Sequence, residues 1–270
     1  MVVFDGGVAG KEKTITILHT NDTHSQIFPI AADKGRWAGF GGYAKRAYLI
    51  DGIRAEGHGV LLFDSGDFSQ GTPYFNFFKG NIEVDAMGLM GYDAVTLGNH
   101  EFDNGVEELA RRVDRAEFPV LSANYDFSGS AMEGKTLPFK MFDVKGVKVG
   151  AFGLTINTRG MVDAANARGA VYKDPVACAQ WAADTLRALG ADVVVALTHL
   201  GERSTPFYIG DDSLAAKTSG IDLILGGHSH TDGISTVRNK EGGEVTIVQQ
   251  ASQGRLLGRV DITVKKKKKE

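Results

Sequence analysis

Short apolar runs alternate with helix-length amphipathic stretches along most of this chain, and polar clusters stand where the runs end. Thr14 to His19 reads as a first strand, and Gly42 to Glu56 as a helix with Ala44, Ala47, Tyr48 and Ile50 on or near one face. Val60 to Phe63 is a continuous apolar run, the pattern of a strand covered on both faces. Ile82 to Met90 and Gly105 to Arg115 read as helices, with a strand at Ala94 to Leu97 between them. Val120 to Ala123, Phe139 to Val144 and Val147 to Leu154 read as strands, the last two joined by the hairpin signal Lys145-Gly146. Asp174 to Leu189 is the longest helical pattern, with Asp174 as N-cap, Pro175 at the first helical position and Gly190 after it. Val193 to Leu197, Ile221 to Leu225, Val245 to Gln249 and Leu257 to Val264 complete the strands. An α/β first half and a β-rich last part predict two sheets face to face with helices outside, a four-layer α/β/β/α sandwich. Tyr125 to Thr136 and Gly201 to Ser219 are the longest irregular stretches, a length often tied to function.

Composition narrows the function classes. A chain of 270 residues at 43% hydrophobic can bury a large core. A net charge of -3 with a pI near 6.2 argues against binding a nucleic-acid polymer. The run from Lys265 to Lys269, closed by Glu270, reads as a solvated tail. The lone cysteine, Cys178, lies in a helical pattern and reads as a structural thiol. No run is long and apolar enough to span a bilayer. Met1 to Lys13 is Gly-rich without the apolar centre of a signal peptide, which fits a cytoplasmic chain or one lacking its targeting segment.

The candidate chemistry sits at the strand ends. Asp22 and His24 lie two apart just past the first strand, a spacing that sends both side chains the same way in extended chain. Taken alone they also fit an Asx-turn. Asp67 follows a sharp Gly66 turn, and its two oxygens could bridge two cations. Asp64 fits either a ligand-orienting role or a turn cap. Asn99 offers a neutral oxygen. His100 lies close enough to Asp103 for the carboxylate to orient the ring, although Glu101 and Asp103 also fit as caps of the next helix. His199 ends one apolar run, and His228 and His230 end another after two glycines. One such cluster means little, but five together predict a metal centre. Oxygen and nitrogen donors without thiolate suit two catalytic divalent cations, Zn, Mn, Fe or Co. Such a pair would share Asp67 and a bridging hydroxide, with His100 acting on developing charge or on the leaving oxygen.

The five clusters, in this order, resemble the calcineurin-like metallophosphoesterases. The longer words His19-Thr20-Asn21-Asp22-Thr23-His24, Asp64-Ser65-Gly66-Asp67, Gln70-Gly71-Thr72, Gly91-Tyr92-Asp93-Ala94, Gly98-Asn99-His100-Glu101-Phe102-Asp103 and Gly226-Gly227-His228-Ser229-His230 are similar to the catalytic domain of the 5′-nucleotidase / UDP-sugar hydrolase / 2′,3′-cyclic phosphodiesterase family. The resemblance covers residues 14 to 264 and implies the metallophosphoesterase fold, with two mixed sheets and flanking helices. It implies that Asp22, His24, Asp67 and His230 hold one metal, that Asp67, Asn99, His199 and His228 hold the other, and that His100 and Asp103 form the catalytic dyad. Some family members carry Gln where this chain has His230.

The resemblance further implies a metal-dependent phosphoric ester hydrolase acting on a small phosphorylated substrate, a nucleotide above all, in the periplasm or at the cell surface. Bifunctional members carry a C-terminal domain with phosphate-binding arginines and an aromatic clamp for the base. Nothing in these residues corresponds to it. A truncated chain, a stand-alone enzyme of broader specificity and a split enzyme completed by a partner chain are the three expectations that follow. Tyr74, Phe75, Phe77 and Phe78 offer a stacking surface or, as the stronger expectation, core packing. Thiosulfohydrolase-like chemistry and a binding module with little chemistry of its own stand as the alternatives to phosphoester hydrolysis.

Overall fold

A computed structural model describes residues 12–265 together with the backbone of residues 2–4; residues 266–270 of the Lys-rich tail lie outside the described residues. The elements run in chain order β1 (Val2–Phe4), β2 (Glu12–Thr20), α1 (Tyr43–Arg54), β3 (Gly59–Asp64), α2 (Pro73–Phe78), α3 (Asn81–Leu89) and β4 (Ala94–Thr96). There follow α4 (Val106–Arg115), β5 (Val120–Leu121), β6 (Tyr125–Asp126), β7 (Phe139–Val144), β8 (Val147–Thr155), β9 (Val171–Tyr172) and α5 (Pro175–Ala188). The last are β10 (Val193–His199), α6 (Asp211–Lys217), β11 (Leu223–Leu225), β12 (Asp232–Arg238), β13 (Glu244–Gln250) and β14 (Gly258–Lys265).

Two six-stranded mixed sheets result, one ordered β1-β14-β2-β3-β4-β5 and the other β12-β13-β11-β10-β8-β7. Alternation along the strands decides what each face meets. Ile15, Ile17, Leu61 and Phe63 of the first sheet pack against Val147, Val149, Val193, Val195 and Leu197 of the second, forming an apolar seam. The opposite face of the first sheet, through Leu18, Leu62 and Val95, packs on Ile50 of α1, Val84 and Met87 of α3 and Leu109 of α4. The opposite face of the second, through Phe152, Val194 and Ala196, packs on Ala179, Ala182 and Leu186 of α5 and Leu214 of α6. Three apolar layers between four structural ones make the α/β/β/α sandwich. Local signals behave as their chemistry requires: the Asp174 carboxylate accepts from Val176 N at 3.0 Å to cap α5, and Lys145 and Gly146 take positive φ in the β7–β8 hairpin.

Several short elements depart from the sequence expectation. Gly201 to Ser219 contains α6, and Tyr125 to Thr136 opens with β6, which pairs antiparallel with β9. Both elements are too short to show a periodicity. An additional strand, β12, forms the edge of the second sheet beside β13. It is largely exposed, so it lacks the apolar alternation of a half-buried strand.

Parallel pairing of β2, β3 and β4, and of β8, β10 and β11, sends their C-terminal ends to one edge of the sandwich. The loops leaving those ends form a single polar crown, where the side chains of all five clusters emerge.

Candidate metal centre

Backbone hydrogen bonds stitch the first two loops together. Asp22 N donates to Gly66 O at 2.9 Å, His24 N to Asp67 O at 3.0 Å and Ser25 N to Phe68 O at 3.0 Å. Asp22, His24, Ser25 and Asp67 all have positive φ near 50°, a conformation costly for non-glycine residues unless the surroundings enforce it. Gly66 and Gly98 permit the next close approach. A Cβ on Gly66 would lie 2.5 Å from Gly98 N, and one on Gly98 would lie 2.1 Å from Asp67 Oδ1.

The side chains gather into two groups. In one, Asp22, His24 and His230 bring their donor atoms within 4.8 Å of one another; in the other, Asp67, His199 and His228 do the same. His230 Nε2 lies 3.3 Å from Asp22 Oδ1, and His24 Nε2 faces His230 Nε2 at 3.0 Å. His199 Nε2 lies 3.0 Å from Asp67 Oδ2 and 3.8 Å from Asp22 Oδ1, so the groups adjoin. Asn99 joins the second, its Oδ1 2.9 Å from His228 Nδ1. The backbone N–H of His228 donates to both Asp22 oxygens, at 3.1 and 3.0 Å, and ties the second sheet's rim to the first.

The expected dyad is adjacent. His100 Nδ1 meets Asp103 Oδ2 at 2.8 Å, and His100 N donates to Asp67 Oδ1 at 2.9 Å. The His100 ring lies 5.5 Å from that of His24, edge to face. Asn166 Nδ2 donates to the Asp103 carbonyl at 2.7 Å, bringing the 157–170 segment against the dyad. All nine expected residues therefore meet at one edge.

The chemistry of the donors fits divalent cations. Two imidazole nitrogens face each other across 3.0 Å beside a buried carboxylate, an arrangement that calls for a proton or a cation between them. His199 Nδ1 points at the Ser65 carbonyl at 2.7 Å. A carbonyl can only accept, so Nδ1 holds the hydrogen and Nε2 is turned toward Asp67. Burial lowers the pKa of His24 and, with the charge of His199, pushes His228 down to about 4, which leaves both rings neutral with a lone pair to share. Burial opposes charge on His199 too, but Asp67 and Asp22 outweigh it and hold its pKa up at about 10, so the proton on Nε2 facing Asp67 is the one a cation at this position would displace. Burial likewise opposes charge on Asp67, and His199 outweighs it, holding the carboxyl well below the usual range. His100 is raised because the Asp103 hydrogen bond and the Asp67 and Asp103 charges exceed the effect of burial.

Of the two readings for Asp64, the turn cap is the one its contacts match: it accepts from Thr20 Oγ1 at 2.5 Å and Gly66 N at 2.9 Å, and burial raises its pKa to about 7. Glu101 is not a helix cap but turns inward, accepting from the backbone of Asp67 and Gly98. The sequence signal for it was Arg112, which falls among the apolar positions of α4 and, once buried, demands a buried acceptor. Of the four aromatics near Asp67 only Phe75 is buried; Tyr74 pairs with Phe28 at 6.0 Å, and Phe77 and Phe78 are exposed.

Comparison with known proteins gives these groups a setting. The family model for calcineurin-like phosphoesterases, which use divalent metals, matches residues 15–232. Snake venom 5′-nucleotidase from Gloydius brevicauda is 36% identical over 277 residues, an alignment covering 94% of this chain and 46% of the relative. The 5′-nucleotidase precursor of Thermus thermophilus superposes with a TM-score of 0.84 at 35% identity, covering 92% of this chain and 51% of that one. The Thermus thermophilus sulfate thiohydrolase SoxB superposes with a TM-score of 0.76 over 95% of this chain and 54% of that one, but at 22% identity it shares the fold alone. The chain spans about half the length of the curated relatives it matches. No helix among the described residues is long and apolar enough to cross a membrane.

Proposed function

The chain belongs to the calcineurin-like phosphoesterase family, and from that premise we propose that it is a dinuclear-metal phosphoester hydrolase of the 5′-nucleotidase type. One observation carries the reading: the two ligand groups adjoin at His199, whose Nε2 stands between Asp67 Oδ2 and Asp22 Oδ1, while the other Asp67 oxygen accepts from the backbone of His100, the ring paired with Asp103. Asp22, His24, Asp67 and His230 would hold one cation, and Asp67, Asn99, His199 and His228 the other. Zn, Mn, Fe and Co all suit that donor set. Bound there, divalent cations supply Lewis acidity, lowering the pKa of water toward neutrality and neutralising phosphate oxygens.

The protein's own groups do the rest. Ser65 O fixes the His199 tautomer so that Nε2 is the donor atom. Asp103 occupies His100 Nδ1 and leaves Nε2 to deliver a proton to the leaving oxygen, which the raised pKa of this ring favours. The substrate class is a small phosphorylated molecule, a nucleotide first, as the relatives' names suggest. Residues 14–264 are read as the catalytic domain, with selectivity for the nucleotide supplied from outside them, on a further domain or a partner chain. The relatives' venom and precursor forms support residence outside the cytoplasm, in the periplasm or at the cell surface.

The test is steady-state hydrolysis by metal-stripped protein reloaded with Mn²⁺, Zn²⁺ or Co²⁺. AMP, UDP-glucose, 2′,3′-cyclic AMP, a generic aryl phosphodiester and a thiosulfate ester are assayed side by side. Metal-dependent cleavage of a phosphoester is expected. Cleavage of the thiosulfate ester alone, or of nothing at any metal loading, overturns the proposal.

A further inference from the structure

Strand pairing alone does not fix the separation of the loops that carry Asp67 and Asn99-His100. β3 and β4 are in register only at Phe63–Ala94 and Asp64–Val95, so their ladder ends before either loop begins. One carboxylate spans the gap. Glu101 Oε2 accepts from Asp67 N at 2.8 Å and from Gly98 N at 2.6 Å. Its Oε1 accepts from Ser69 N at 3.2 Å and Ser69 Oγ at 2.9 Å. Four donors from two loops thus converge on a side chain with no exposed surface.

A buried carboxylate is costly unless its lone pairs are satisfied and its charge is balanced. Arg112, itself 1% exposed, brings a positive charge beside it through Ser69 and the Glu101 backbone, offsetting part of the cost. Its Nη1 donates to Ser69 Oγ at 3.0 Å and its Nη2 to the backbone carbonyl of Glu101. The ring closes, because Ser69 Oγ accepts from Arg112 and donates to Glu101. Gly80 leaves room for the guanidinium; a Cβ there would lie 2.6 Å from Arg112 Nη1. The clamp also holds Asp67 at a φ of 53°, a conformation that relaxes once the contacts enforcing it are lost.

We propose that Glu101, backed by Arg112, is a positioning residue that sets the shared carboxylate of Asp67 against Asn99 and His100. It acts through the Asp67 and Gly98 backbone rather than through any cation or substrate. The proposal rests on the two-metal reading above and adds to it the device that holds the two sites at their working separation. Glu101→Gln isolates the effect, since the amide keeps the volume but faces one of the two pairs of donors with its own NH₂.

The experiment is titration of metal-stripped wild type, Glu101→Gln and the milder Ser69→Ala with Co²⁺. Cation affinity and stoichiometry are read by calorimetry and the visible Co²⁺ spectrum, beside melting in chelator and kcat and KM at saturating metal. Glu101→Gln is expected to bind both cations about 10–100-fold more weakly, the range for lost outer contacts to ligands. Its saturated Co²⁺ spectrum should shift, and kcat should fall while KM holds. Ser69→Ala should show the same changes, reduced in size, and it carries the test if Glu101→Gln does not fold. Wild-type affinity and spectrum in both variants, with only the melting temperature lowered, would overturn the proposal. Wild type that binds two cations but cleaves no phosphoester sinks the hydrolase reading and leaves this one standing.

Discussion

Asp22, Asp67 and Asn99 leave the first sheet at the ends of β2, β3 and β4, where each loop is bonded to the next through its backbone or through Glu101. His199, His228 and His230 leave the second sheet at the ends of β10 and β11. Ser65 O orients His199, and His228 N is held by Asp22, but the His230 side chain stays 46% exposed and, among the described residues, its ring meets His24 and Asp22. Positive φ at ligand residues marks both rims, Asp22, His24 and Asp67 on the first and His228 and His230 on the second, but only the first is closed by bonds from loop to loop. The second is graded, from a fully buried ring to one half in solvent. On the two-metal proposal, the interlocked first rim would set where the cations sit, and the exposed His230 would let the outer one exchange.

The strongest way to break that contrast is at its pivot. Asp67→Asn removes a charge that, on the two-metal proposal, both cations share, and it should lower turnover by more than the roughly 100-fold upper end seen for outer-contact losses. Cation stoichiometry by calorimetry should fall with it; an intact pair of bound cations would show that the rims do not share Asp67. His100→Asn should lower kcat by about 10²–10⁴-fold with cation binding unchanged. The loss should shrink on an aryl ester, whose leaving group needs no proton, and equal losses on AMP and the aryl ester would remove His100 from the proton-delivering role. His230→Gln, on the free side of the second rim, should weaken one cation about tenfold and spare the other. Equal weakening of both would erase the proposed gradient from buried to exposed.

The sequence held most of the crown because each ligand-bearing loop follows an apolar run long enough to be a strand, and parallel strands bring such ends together. What it could not hold is non-local. Asp64 and Glu101 sit in similar acidic turns, yet one caps its own loop and the other reaches across to a neighbouring loop; only the approach of Gly66 to Gly98 decides which. The edge strand β12 was hidden for a related reason, since it faces solvent on much of its length and owes its pairing to β13. α6 is two turns of an acidic segment whose apolar side, Leu214 and Ala215, is too short to stand out from the loop around it.

The smallest predicted effect comes from below the crown, in the seam between the sheets. Ile15, Ile17 and His19 alternate onto the same face of β2, so the last places an imidazole where its neighbours place isobutyl-sized groups. Gly258, paired with His19 on β14, makes the room; a Cβ there would lie 2.0 Å from His19 Nε2. Both ring nitrogens are buried without a hydrogen-bond partner among the described residues, and burial pushes the pKa down to about 3 from an ordinary 6.5. The folded ring therefore stays neutral where the unfolded one charges. Above pH 6.5 neither state binds the proton and the residue adds no pH dependence. As pH falls from 6.5 toward 3 the unfolded state takes up a proton that the folded state refuses, so stability drops by at most about 1.4 kcal/mol per pH unit. His19→Leu fills the same space with no titrating group. Measured in chelator, its melting temperature should track wild type above about pH 7 and fall less steeply from there down to about pH 4, whereas parallel curves would mean that this ring finds a partner in the seam and keeps its proton on folding.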